Sequence, residues 1–371
     1  MSKNRVVNFN PGPAVLPESV LRKAQEELLN FNGTGMSILE ISHRSKPFEA
    51  VLARADEGLR AVMGIPKNYK VLFLQGGASL QFSAVPMNLY QPGKPVDFIQ
   101  TGVWTKKALK ELKKIGEYRM AASTEADGFM RVPRMDEIQL SSDASYVYMC
   151  SNNTIYGTQF KAFPDTGAVP LVVDMSSDIA SRQVNMSQFG VIFAGAQKNI
   201  GPSGVTVVIV REDLADRVAD TVPTVLQYRE QIKENSLYNT IPTFGVYLIA
   251  LVMEWIQAQG GIRPLAEMNR EKARRLYAAI DDSGVYSCPV QPDSRSEMNV
   301  VFRVAGGDED LEKQFVKEAE AAGLAGLKGH RLVGGLRASI YNAQTLEGVD
   351  KLVAFMKSFA QTHKPALSRM A

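Results

Sequence analysis

Gly190–Arg211 reads GVIFAGAQKNIGPSGVTVVIVR. Two apolar runs, Val191–Ala194 and Val205–Val210, flank a loop of small residues that carries Lys198. Both runs are short, rich in β-branched residues and bounded by glycine, which is the pattern of buried strands. A lysine in such a loop is held near the interior, where its ammonium is poorly solvated. Burial favours the neutral amine, and a neutral amine forms an imine with a carbonyl. Twenty-four residues earlier, Pro170–Asp174 (PLVVD) is an apolar strand ending in a carboxylate. A strand-end Asp followed by a loop Lys suits a pyridoxal phosphate site. The Lys holds the aldehyde, and the Asp keeps the pyridine nitrogen protonated so that the ring acts as an electron sink. The pair alone also fits a solvated lysine and a capping aspartate, so the rest of the chain must decide.

Working outward, further strands are expected at Val71–Leu74, Val96–Ile99, Tyr146–Met149 and Leu171–Asp174, with helical patterns between several of them. Strands alternating with helices predict an α/β fold with a mostly parallel sheet covered on both faces. Towards the N-terminus, Pro11, Gly12 and Pro13 fix a bend. A helix is expected from Pro17, with Val20, Leu21, Ala24 and Leu28 on one face. Pro47 opens another that carries Val51, Leu52, Ala55, Leu59 and Val62. Gly260-Gly261 breaks a long helical pattern that starts near Phe244. Beyond it the expected order is a helix (262–282), a strand (299–304), a helix (308–322), a strand (337–341) and a helix (346–359). This predicts a large domain over residues 16–260 and a smaller α+β domain over 261–371, to which the N-terminal segment 1–15 packs.

The 371 residues suffice for a large core and a second lobe. With 42 basic and 39 acidic residues, the net charge of +3 gives no reason to expect a nucleic-acid partner. The densest basic run, Lys106–Lys114, has Ala108, Leu109, Leu112 and Ile115 at helical spacing, so its lysines are read as the wet face of a helix. Cys150 and Cys288 form neither a metal-binding spacing nor a disulfide framework, which points to a reduced, cytoplasmic setting. No apolar run reaches the ~18 residues of a membrane span.

Polar signals cluster at the expected strand ends. Gln75-Gly76-Gly77-Ala78-Ser79 leads from a strand into a helix, an arrangement that makes an anion site from free N–H groups, although Gly-Gly before a helix is also common turn chemistry. Thr101-Gly102-Val103-Trp104 places one of two tryptophans near a strand end, in reach of a flat ring. Ser151-Asn152-Asn153-Thr154 is too polar for a core. His43-Arg44, His330-Arg331 and Arg337 suit phosphate and carboxylate recognition. His363, in the polar tail, is expected at the surface.

These stretches together resemble a known family. The resemblance runs from Asn8–Pro13 (NFNPGP) through HRSKPFE (43–49), GGASLQF (76–82), TGVWTKKA (101–108), SNNTIYGTQF (151–160), VVDMSSD (172–178), GAQKNIGPSG (195–204), YNTIPTF (238–244) and GHRLVGGLRASIYNA (329–343). It covers essentially the whole chain and is similar to the phosphoserine aminotransferases, fold-type I, class V enzymes that use pyridoxal phosphate. It implies a seven-stranded-type sheet in the large domain. It also implies amino transfer from L-glutamate to 3-phosphohydroxypyruvate, as in serine biosynthesis. Some bacterial members also act on 3-hydroxy-2-oxo-4-phosphooxybutanoate, towards pyridoxine.

The resemblance assigns roles residue by residue. Lys198 holds the cofactor, Asp174 pairs with its ring nitrogen, Trp104 stacks on the ring and Thr154 meets the ring hydroxyl side. Ala78, Ser79 and Gln197 serve the cofactor phosphate, reached by Asn239 and Thr240 from the other subunit of a homodimer. Arg337 clamps the α-carboxylate. His43, Arg44, His330 and Arg331 surround the distal phosphate or carboxylate, some of them across the dimer interface. Some members carry Arg where this chain has Ser79, which shifts the substrate phosphate onto the remaining His and Arg groups. Two other readings remain. A cysteine desulfurase or glyoxylate aminotransferase is one, but Cys288 has no adjacent base to activate it. A nucleotide-binding or non-enzymatic α/β protein is the other, but GGAS lacks the Gly-Lys-Ser/Thr of a P-loop.

Overall fold

The computed structural model describes residues 5–363. Strand β1 (Val7–Asn8) leads to helices α1 (Glu18–Glu27) and α2 (Lys46–Met63). Next come β2 (Tyr69–Leu74), α3 (Gly77–Leu89), β3 (Val96–Gln100), α4 (Val103–Leu112) and β4 (Tyr118–Ser123). β5 (Val147–Cys150) is followed by a small ribbon, β6 (Asn152–Asn153) and β7 (Thr158–Gln159). β8 (Leu171–Asp174), β9 (Val191–Gly195), β10 (Thr206–Arg211) and the short α5 (Tyr228–Lys233) follow. Helices α6 (Thr243–Ala258) and α7 (Ile262–Asp281) then lead to β11 (Tyr286–Ser287), β12 (Asn299–Val304) and α8 (Glu309–Ala321). The order closes with β13 (Leu324–Ala325), β14 (Leu336–Ser339) and α9 (Leu346–Thr362).

The seven-stranded sheet has the order β2-β10-β9-β8-β5-β3-β4. Every neighbouring pair is parallel except those of β10, which is antiparallel to both β9 and β2. β8 and β9 are buried along their whole length and, but for the terminal Asp174, apolar, as strands covered on both faces must be. On one face α2 and α6 pack together and complete the larger core. Gly58 permits this approach, because a Cβ there would lie 2.7 Å from the Cβ of Met253. On the other face α3 and α4 cover Leu72, Phe98, Tyr148 and Phe193. As expected, the lysines of Lys106–Lys114 are exposed while Ala108, Leu109 and Leu112 are buried.

Gly260 and Gly261 both take positive φ (88° and 89°) and turn the chain between α6 and α7. A separate apolar cluster gathers α7, α8 and α9 against β12 and β14, and it includes Val7 and Phe9 from the N-terminus. β1 pairs in parallel with β13, Val7 opposite Leu324.

Several expectations need correction. Leu28 does not join the buried face of α1; it caps the helix end and is exposed. β4, YRMAAS, was not expected, because as an edge strand it has neither an apolar run nor clean alternation. His363 is not a free surface residue. Helix α9 runs past Phe359 to Thr362, so the His363 ring packs 4.2 Å from that of Phe359 and sits 3.1 Å from Glu318 Oε1.

Candidate active site

Six strands, β2, β3, β4, β5, β8 and β9, end at one edge of the sheet, and the β9–β10 connection opens at that edge too because β10 runs back. Ligands of open α/β sheets bind at this edge. A cavity of about 250 Å³ lies there, lined by Ala78, Ser79, Trp104, Thr154, Asp174, Gln197, Lys198, His330 and Arg337.

Lys198 Nζ donates to Thr154 Oγ1 at 2.9 Å and lies 5.7 Å from the centre of the Trp104 ring. Burial pushes its pKa down, against the opposing pull of Asp174. Asp174, at the end of β8, is buried, and burial raises its pKa while hydrogen bonds from Ser176 draw it back. Thr154 links two functions, since its carbonyl accepts from Arg337 Nη1 at 3.2 Å. Arg337 comes from β14, so the smaller cluster contributes one wall of the cavity. Burial lowers the Arg337 pKa, but a guanidinium remains charged. Burial, followed by the charges of Arg337, Arg331 and Lys107, lowers the His330 pKa.

The turn before α3 has the geometry of an anion seat. Gly76 (φ 86°) and Gly77 (φ 66°) adopt the left-handed conformation that glycine takes without strain. No side chain caps α3, so its first N–H groups, at Gly77, Ala78 and Ser79, lack intrahelical acceptors. Trp104 Nε1 and Arg337 Nε are buried without protein partners. An anion seat, a flat indole, a buried carboxylate and an amine around one cavity fit pyridoxal phosphate.

Sequence reasoning missed Ser176 and Gly12. Ser176 follows the strand end by two residues and could have been suspected from the polar run Met175–Asp178. Gly12 was read only as part of a bend. A Cβ there would lie 3.1 Å from Lys198 Cγ, and its φ of 139° is open mainly to glycine. The N-terminal segment therefore lies directly against Lys198, and the Ala14 N–H fixes it to the Gln197 carbonyl at 2.9 Å.

His43, Arg44, Arg331, Asn239 and Thr240 do not line this cavity. Arg44 is exposed, and His43 Nε2 is buried without a partner. Arg331 faces a different cavity, between α8 and the 328–335 loop. Asn239 Nδ2 donates to Gln75 Oε1 at 2.6 Å, and Gln75 Nε2 donates to the Thr240 carbonyl at 2.8 Å. That pair sits beside the turn that opens α3.

The sheet order and the Lys–Asp–Trp cavity at its carboxyl edge define a class of pyridoxal phosphate-dependent enzymes, and residues 6–352 match the class-V aminotransferase family. A phosphoserine aminotransferase of Niallia circulans is 54% identical over 363 residues, covering 98% of this chain and 99% of that protein. The solved phosphoserine aminotransferase of Bacillus circulans subsp. alkalophilus superposes with a TM-score of 0.95 at 53% identity, covering 97% of this chain and 100% of that one. A solved, PLP-bound phosphoserine aminotransferase of Trichomonas vaginalis superposes with a TM-score of 0.91 at 41% identity, covering 95% of this chain and 100% of that one. The chain belongs to the class-V aminotransferases and, within them, to the phosphoserine aminotransferase family. Its cofactor is pyridoxal phosphate.

Proposed function

We propose that Lys198, Asp174, Trp104, Thr154 and Arg337 carry a phosphoserine aminotransferase reaction, in which L-glutamate gives its amino group to 3-phosphohydroxypyruvate. The carrying observation is the Lys198 Nζ–Thr154 Oγ1 contact at 2.9 Å, in the same cavity as Asp174 and Arg337.

When bound, pyridoxal phosphate supplies an aldehyde to take up the amino group and a ring to spread the negative charge left at the substrate carbon. Lys198 would hold that aldehyde and Asp174 would pair with the ring nitrogen. Trp104 would offer a stacking face, while Ala78, Ser79 and Gln197 would hold the phosphate. Arg337 orients the substrate α-carboxylate by charge-assisted hydrogen bonds. Lys198 Nζ, whose pKa burial lowers, takes and returns the proton. Thr154 Oγ1 sets its direction.

His330 lines the cavity, and with Arg331, His43 and Arg44 it is assigned to the distal phosphate. His43, Arg44, Asn239 and Thr240 lie outside this cavity, which supports a homodimer in which they serve the partner's site. The exposed apolar residues Met36, Leu39 and Tyr238 fall in the same parts of the chain. The separation of the α7–α9 cluster from the two that flank the large sheet supports a large domain over 16–260 and a small domain from 261 that includes the N-terminal segment. The free cysteines are in keeping with a cytoplasmic location. Burial raises the pKa of Cys288, the opposite of what a reactive desulfurase thiol needs.

The test is a coupled assay with glutamate as donor and 3-phosphohydroxypyruvate, glyoxylate or pyruvate as acceptor. The phosphorylated acceptor should give by far the highest kcat/KM. A preference for glyoxylate would overturn the substrate assignment.

A further inference from the structure

Asp174 has one carboxylate oxygen that is fully engaged and one that is not. The Ser176 N–H donates to Oδ1 at 2.9 Å, and the Ser176 hydroxyl donates to the same Oδ1 at 2.6 Å. The direction of that hydroxyl is fixed from behind. The N–H of Gly195, at the end of β9, donates to Ser176 Oγ at 3.2 Å. The Gly195 N–H takes one lone pair of Oγ, and the short contact to the acceptor-only Oδ1 takes the hydroxyl proton. No donor among the described residues reaches Oδ2, although Asp174 is 4% exposed and lines the cavity. Oδ2 is not among the sealed-off polar atoms; it opens onto the cavity, so its donor comes from the cavity side. The neighbouring Ser177 does not share the task. Its hydroxyl donates to the Asn152 carbonyl and accepts from Asn152 Nδ2, both at 2.8 Å.

We propose that Ser176 is a positioning residue that holds Asp174 by Oδ1, presents Oδ2 to the cofactor ring nitrogen, and keeps the shared proton on that nitrogen rather than on the carboxylate. This inference rests on Asp174 facing the ring nitrogen. Its physical basis is a competition. Burial drives the carboxylate towards its neutral form, which would draw the proton onto Oδ2 and leave the ring uncharged. Two hydrogen bonds to Oδ1 stabilise the anion and offset that pull. The backbone N–H survives any substitution, so the side-chain hydroxyl is the adjustable part. The Gly195 N–H links this support to the strand that leads into the Lys198 loop. The carboxylate and the amine are therefore positioned from one piece of backbone.

The experiment uses holoenzyme reconstituted with pyridoxal phosphate labelled with ¹⁵N in the ring, whose chemical shift reports whether the nitrogen carries the proton. Wild type, Ser176→Ala, Ser176→Thr and Asp174→Asn are compared at neutral pH, with cofactor dissociation measured by dialysis. Ser176→Ala should move the ¹⁵N signal towards the unprotonated value. It should also lower kcat about tenfold, the effect of one hydrogen bond to a charged group. KM and cofactor dissociation should change less than about threefold, since the phosphate seat and Lys198 are intact. Ser176→Thr, which keeps a hydroxyl, should restore the signal. An unmoved signal in Ser176→Ala, beside a shifted one in Asp174→Asn, overturns the role of Ser176 alone. Unmoved signals in both variants overturn the placement of Asp174 as well. A shift in Ser176→Ala that Ser176→Thr fails to reverse also overturns the proposal, because the hydroxyl is then not the cause.

Discussion

The reactivity proposed for Lys198 follows from where it is held. Burial depresses its pKa, and Thr154 accepts its one hydrogen bond in the cavity. Borohydride treatment of the holoenzyme should fix the cofactor to this lysine, and peptide mass analysis should find the label on no other. In its proposed role beside the ring nitrogen, Asp174 would act on charge rather than on affinity. Asp174→Asn should retain most of the cofactor yet lower kcat by about one to two powers of ten, as expected for loss of an ionic hydrogen bond. Near-normal turnover in that variant would show that the ring nitrogen does not depend on it. The sequence signals for these two residues were direct, because each stands at the end of an apolar run. Ser176 and Gly12 gave weaker signals. Their importance lies in distances to Asp174 and Lys198 that no linear spacing encodes.

At the scale of elements, the start of α3 and the packing of α7 offer two tests. Gly76 holds φ at 86°, and a Cβ there would lie 2.5 Å from Leu80 Cδ2. Gly76→Ala should therefore destabilise the fold by roughly 1–2 kcal/mol. It should also weaken cofactor binding, because the N–H groups of the first turn would shift. Equilibrium unfolding and cofactor dialysis check the two effects separately. On α7, Lys272 is fully buried with no carboxylate partner among the described residues, and its Nζ donates to the carbonyls of Ile340, Tyr341 and Gln344 at 3.0, 2.7 and 2.9 Å. The turn it supports holds Asn342, whose N–H donates to Asn199 Oδ1, next to Lys198.

Burial pushes the Lys272 pKa down to about 7 from 10.5. Below about 7 both folded and unfolded chains carry the proton, and the cost of burying the charge is fully present. Between about 7 and 10.5 the unfolded chain binds the proton and the folded one does not, so stability from this site rises with pH. Lys272→Met should remove that slope when unfolding is measured from pH 6 to 9. It should also cost roughly 1–3 kcal/mol for the carbonyls left unsatisfied. Equal pH slopes in the two proteins would show that the three carbonyls keep the ammonium charged. The sequence gives no hint of this residue. A lysine in EKARRLY reads as surface charge, and only the packing of α7 against the 340–344 turn buries it.

For the whole molecule, the residues outside the cavity carry the sharpest expectations. If His43, Arg44, Asn239 and Thr240 serve a partner's site, mixing inactive Lys198→Ala with inactive Thr240→Ala should recover activity as hybrid dimers form. No recovery despite demonstrated hybrids would end the shared-site reading. The phosphate specificity is tested by Arg331→Ala and Arg44→Ala. Each should lower kcat/KM for 3-phosphohydroxypyruvate by about one to two powers of ten, and unphosphorylated hydroxypyruvate by less, because a phosphate dianion gains more from each guanidinium. Equal losses on both acceptors would assign these arginines to the shared keto-acid part or to the fold.

The sequence by itself determined six of the seven strands of the central sheet, helices between them, and the Lys198–Asp174 pair. Apolar runs punctuated by glycine depend on local periodicity, and burial on both sheet faces leaves that pattern unmistakable. Helix ends such as Leu28 and His363 were misread because their burial is decided by neighbours far along the chain. The edge strand Tyr118–Ser123 was missed for a related reason. Half-exposed, it needs no apolar run, and its pairing with β3 supplies the order. Only the tertiary structure decided that the N-terminal bend lies against Lys198, that Arg337 of β14 reaches the Thr154 carbonyl, and that Ser176 grips one oxygen of Asp174 and leaves the other free. These are contacts between segments that the chain brings together only when its two cores close, and their energies depend on distance in space rather than on position in sequence.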